Sequence, residues 1–85
     1  MVTKKITIKI PTGLEARPVA LLVQVASRYE SSIFVECEDK KVNAKSIMGM
    51  MSLGIAAGEE VTVTANGIDE EEAIENIEKY LSSKE

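Results

Sequence analysis

Apolar and polar residues alternate from the start of the chain. Val2, Lys4, Ile6, Ile8 and Ile10 fall on one side of an extended backbone, and Thr3, Lys5, Thr7 and Lys9 on the other. A period of two with one wet side predicts a strand whose inner face packs on a core. Pro11-Thr12-Gly13 ends it. The spacing then changes to Val19, Leu22, Val23 and Ala26, the recurrence of a helix with one buried stripe, predicted from near Ala16 to about Arg28. Pro18 suits the first turn of that helix, where its missing N–H leaves no helical hydrogen bond unmade.

Alternation returns at Ile33, Val35 and Cys37, with Phe34, Glu36 and Glu38 between them. This predicts a second strand, an Asp39-Lys40 turn and a short third strand, Lys41–Ala44. Ser46 precedes an apolar segment from Ile47 to Leu53, read as a brief helix with Ser46 near its N-cap. Gly54 and Gly58 flank a loop. Val61, Val63 and Ala65, alternating with Thr62 and Thr64, predict a fourth strand ended by Asn66-Gly67. Asp69 and Glu72 stand three apart like a capping box, ahead of a helical stripe of Ala73, Ile74, Ile77 and Leu81. The order is β-α-β-β-α-β-α over one domain, residues 1–85. It predicts an α+β fold, a two-layer open-faced sandwich with a four-stranded antiparallel sheet covered on one face by helices. Right-handed crossovers leave the split-βαβ topologies as the natural choice.

Composition narrows the chemistry. Hydrophobic residues make up 45% of the 85, enough for a core, while histidine and tryptophan are absent and cysteine occurs once, at Cys37. That excludes a histidine general base, a histidine-containing metal site and an internal disulfide. The formal net charge is −4, and residues 69–85 hold seven acids against two lysines. The aromatics Tyr29, Phe34 and Tyr80 are scattered without a cationic cluster, so direct nucleic-acid binding is not expected. No uninterrupted apolar stretch suggests a signal peptide or a membrane span, and a lone thiol fits the cytoplasm.

Two stretches carry the candidate chemistry. Thr12-Gly13-Leu14-Glu15-Ala16-Arg17-Pro18 reads first as a strand-to-helix turn, with Glu15 favoured at the positive end of the helix and Arg17 solvated. Unpaired N–H groups beside an arginine also suit an anion or a partner. In Val42 to Leu53, Ser46 reads as an N-cap and the methionines as core. Ile47, Met48, Met50 and Met51 nevertheless fall all around a short helix, so some of them must face water. Exposed methionines beside a serine suit a flexible docking surface. A phosphate on that serine adds about two negative charges at the start of the helix without unfolding the domain. Cys37 reads as a small buried hydrophobe. Asp69, Glu72, Glu75 and Glu78 read as capping and solvated acids, and neither a metal nor a cofactor is expected.

The pattern Thr-Gly-Leu-x-Ala-Arg-Pro from Thr12 and the run VNAKSIMGMMSLGI from Val42 to Ile55 resemble HPr, the phosphocarrier of the bacterial sugar phosphotransferase system, and its regulatory paralogues of the Crh type. The resemblance runs end to end and implies the HPr fold. In HPr, the residue between Leu14 and Ala16 is a histidine that takes a phosphoryl group from Enzyme I and passes it to sugar-specific permease components. This chain has Glu15 there. No catalytic residue is implied, the histidine relay is expected to be lost, and Enzyme I and permease components gain little support as partners. Crh-type paralogues also lack that histidine. Ser46 matches the serine modified by HPr kinase/phosphorylase. The resemblance implies that the phosphorylated form binds the catabolite control repressor in carbon catabolite repression. Arg17, Ile47, Met48 and Met51 would form the docking surface, with Pro18 adjacent to the carrier position. The implied role is regulatory rather than enzymatic. A degenerate HPr-type carrier using Glu15, and an interaction module unconnected with sugar uptake, stand as alternatives.

Overall fold

The computed structural model describes residues 1–11, 13 and 16–82. Its elements are β1 (Val2–Thr7), α1 (Ala16–Ala26), β2 (Ser32–Cys37), β3 (Lys40–Asn43), α2 (Ile47–Met51), β4 (Glu60–Asn66) and α3 (Glu70–Leu81), in the order the periodicity predicts. The strands form one sheet in the order β1-β4-β2-β3, and every neighbouring pair is antiparallel. Because β4 is inserted between β1 and β2 and opposes both, β1-α1-β2 is a split βαβ unit.

Register follows from the alternation. Ile6 lies opposite Val61, while Val35 faces Val63 and Ile33 faces Ala65 across the β2–β4 pair. A slip of one residue would turn Thr62 and Thr64 into the core and the valines into water. The inward set packs with Val19, Leu22 and Ala26 of α1 and with Ala73, Ile74, Ile77 and Leu81 of α3, all buried. Helix α3 covers β1 and β4, α1 lies beside it, and α2 packs between α1 and β3. The opposite face of the sheet is polar. Thr3 and Thr64 bring their hydroxyls to 3.3 Å there, and the Lys41 ammonium stands 5.2 Å from the centre of the Phe34 ring. The result is an open-faced two-layer α+β sandwich.

Several local expectations are corrected. The β1 ladder stops at Thr7, although Ile8 and Ile10 continue into the core at 0% and 5% exposure. Helix α1 ends at Ala26, before Arg28, because Arg28 N–H turns to the Val25 carbonyl at 3.2 Å in a tighter bend. Asp69 makes no side-chain cap on α3, so the capping box with Glu72 does not form. Its carboxylate instead accepts from Glu30 N–H at 2.9 Å, Ser31 N–H at 3.0 Å and the Ser31 hydroxyl. The Ser31 hydroxyl and then the Glu30 amide hold that carboxyl below its ordinary pKa. Ser31 is 1% exposed, so its polar groups need a partner, which Asp69 supplies from just before α3. Glu70, the first residue of α3, reaches back to accept from Gly67 N–H at 3.0 Å in the turn before the helix. Cys37 is half-buried at the end of β2, with its thiol 3.8 Å from a Glu59 carboxylate oxygen. Burial first, and then the Glu59 charge, push that thiol up.

Candidate functional site

The turn into α2 is set by residues just before it. Asn43 ends β3, and its side-chain oxygen accepts from Lys45 N–H at 2.8 Å while its carbonyl accepts from Ser46 N–H at 3.0 Å. Such an Asx turn bends the chain without helical geometry. Ser46 stays extended (φ −109°, ψ 114°), so its hydroxyl can reach forward and accept from Gly49 N–H at 3.1 Å. The N-cap expected from sequence is therefore present. Ser46 is half-buried, at the foot of the helix rather than inside the core. Gly49 helps to keep it accessible: a Cβ there would stand 3.3 Å from Ser46 Oγ and 3.4 Å from Val42 Cβ. The Lys45 ammonium turns away and donates to the Tyr29 carbonyl at 2.7 Å, just beyond the C-terminal end of α1.

One short helix divides its apolar residues between core and water. Met50 is fully buried, while Ile47, Met48 and Met51 are exposed by 48%, 85% and 50%. Helical geometry requires this, since α2 is a single short turn resting on α1 and β3 and one side of it must remain uncovered. Leu21 on α1, 44% exposed, is a further apolar side chain that sequence reasoning missed. The signal was available: Leu21 falls off the Val19–Leu22–Ala26 stripe. Arg17 is exposed on the first turn of α1, and Pro18 occupies the same turn. The structure thus gathers Ser46, Ile47, Met48 and Met51 on α2, with Arg17 and Pro18 on the helix it packs against. Glu15 lies outside the described residues.

The turn before α1 touches the segment after α2 through Gly13. Its φ is +69°, and a Cβ there would come within 2.8 Å of the Ile55 carbonyl oxygen and 2.9 Å of Ala57 N. Only glycine permits both that backbone and that approach. An open hollow of about 510 Å³ lies elsewhere, along the start of α3, lined by acids including Asp69, Glu70 and Glu75. Two of its carboxylates are already engaged, Asp69 with Ser31 and Glu70 with Gly67 and the Met1 ammonium.

With this geometry in place, similarity to known proteins decides the family. The family model described as the PTS HPr component phosphorylation site matches residues 2–83. The chain belongs to the HPr family. The HPr-like protein Crh of Bacillus subtilis (strain 168) is 51% identical over 84 residues, which span 99% of each chain. The crystal structure of an HPr from Thermoanaerobacter tengcongensis superposes with a TM-score of 0.94 at 55% identity, covering 99% of this chain and 94% of that one. A crystal structure of Crh from Bacillus subtilis, a dimer with a swapped domain, gives 0.79 at 51% identity, covering 99% and 97%. The chain is therefore an HPr-like protein of the phosphocarrier and regulatory type. Among the described residues, no helix is long and apolar enough to cross a membrane.

Proposed function

We propose that this chain is a Crh-type regulatory member of the HPr family, modified on Ser46 by HPr kinase/phosphorylase in the cytoplasm. In its phosphorylated form it binds the catabolite control repressor and serves carbon catabolite repression. The observation that carries the reading is the position of Ser46. Its half-buried hydroxyl begins a helix whose next residues, Ile47, Met48 and Met51, face solvent. A hydroxyl bordered by flexible apolar side chains gives a partner one charge to read and one surface to cover. The Ser46 oxygen bonds to the γ-phosphorus of ATP as the bond to the β–γ bridging oxygen breaks and ADP leaves. The hydroxyl proton passes to a base on the kinase, and the phosphate adds about two negative charges without displacing any core residue.

Glu15 at the carrier position argues against the histidine relay, since imidazole supplies the nucleophile there in HPr and this chain has no histidine. Enzyme I and permease components are accordingly weak candidates as partners. Incubation with HPr kinase/phosphorylase and ATP is expected to add one phosphoryl group, about 80 Da by mass spectrometry, and Ser46→Ala to abolish the gain. Modification persisting in Ser46→Ala refutes the site. Labelling of Glu15 by phosphoenolpyruvate and Enzyme I would restore a carrier role.

A further inference from the structure

Two successive residues at the end of α3 hold both flanks of the turn that leads into α1. The Leu81 carbonyl accepts from Lys9 N–H at 2.9 Å on the strand side. The Tyr80 hydroxyl donates to the Pro18 carbonyl at 3.0 Å on the helix side. Tyr80 is half-buried, with its ring against the core, so the hydroxyl reaches Pro18 from a fixed base. Pro18 is rigid in φ and follows Arg17 directly. A bond to its carbonyl therefore sets where the first turn of α1 sits, and Arg17 with it.

We propose that Tyr80 is a positioning residue for the docking surface: its hydroxyl fixes the first turn of α1, and so sets where Arg17 stands on the helix against which α2 packs. This deepens the preceding reading and rests on it for the identity of the partner. Tyr80 itself touches no partner. It acts through the Pro18 carbonyl, which ties the C-terminal helix, far away in sequence, to the presenting turn.

A plain structural role for the same hydroxyl would be to satisfy one hydrogen bond between α1 and α3. The molecule contains a matched control. Tyr29, just beyond the other end of α1, has its hydroxyl 2.5 Å from the Asn76 amide nitrogen of α3. Tyr80→Phe deletes a hydroxyl that joins α3 to α1, and Tyr29→Phe one that joins α3 to the residues just after α1; each keeps its half-buried ring, and both variants are expected to fold.

The first measurement is the carbonyl carbon resonance of Pro18 by NMR, which reports a hydrogen bond to that oxygen directly. It is expected to shift in Tyr80→Phe and to stay in place in Tyr29→Phe. The second is the affinity of the Ser46-phosphorylated chain for the repressor. Tyr80→Phe is expected to weaken it roughly three- to tenfold, the change that one ordinary hydrogen bond transmits when its loss falls on docking. Tyr29→Phe is expected to leave it unchanged. An unmoved Pro18 resonance in Tyr80→Phe overturns the proposal, and so does equal weakening by both variants or by neither. If the unaltered phosphorylated chain does not bind the repressor, the partner assignment fails while the Pro18 resonance still decides the tether.

Discussion

Two methionines of α2 should respond in opposite ways to the same change. Met50 is fully buried and Met48 is 85% exposed, although they are two residues apart on one helix. Met50→Ala removes a core side chain and leaves a hole that a rigid sheet cannot close, which costs about 3 kcal/mol within the usual 2–5 kcal/mol for such truncations. For a domain of this size that lowers the melting midpoint by about 12–24 °C. Met48→Ala removes surface already in water and should change stability by less than about 0.5 kcal/mol. Its effect belongs to the interface. A methionine side chain that becomes covered there contributes about 1.5–3 kcal/mol, so repressor affinity of the Ser46-phosphorylated chain should fall roughly ten- to a hundredfold. Thermal melts followed by circular dichroism, and titration calorimetry with the repressor, read the two quantities separately. Equal loss of stability in both variants would show that α2 is rotated from the orientation described. Unchanged repressor affinity in Met48→Ala would remove this side chain from the docking surface.

Gly13→Ala should destabilise by at least about 1–2 kcal/mol from the left-handed backbone alone, and by more because Ile55 and Ala57 meet the new methyl with backbone atoms. A denaturant midpoint equal to that of the unaltered chain would contradict the packing. The Asp69 carboxyl is held below its ordinary value of 3.8, chiefly by the Ser31 hydroxyl, so its contribution is complete above that pH. Stability should therefore decline as the pH falls from about 3.8 through the lowered value. Asp69→Asn should flatten that part of the pH–stability curve, and an unchanged acid limb would refute the role of the Ser31 contact.

The alternation of Val61, Val63 and Ala65 with threonines could serve only a strand with one wet face, and the sheet uses it that way. The stripe Ala73-Ile74-Ile77-Leu81 is likewise the buried face of α3. Around the site, Ser46 as a cap and the surplus of methionines were both legible, because a short helix cannot bury apolar residues on every side. The Tyr80–Pro18 contact and the use of Asp69 were not. Each depends on a partner distant in the chain, and one-dimensional spacing carries no information about which surfaces meet. Asp69 shows the consequence most clearly: local pattern favoured a cap three residues ahead, and the buried hydroxyl of Ser31 competed successfully for the same carboxylate.

Periodicity by itself determined the seven elements and their inward faces, and composition the absence of histidine, since all of these depend on residue type and spacing along one chain. Packing decided which methionine is core and which is surface, where α1 stops, and which groups Asp69 binds. Those outcomes turn on the competition between groups brought together from remote positions, where a buried donor or an open flank outweighs the weaker preferences of neighbours in sequence.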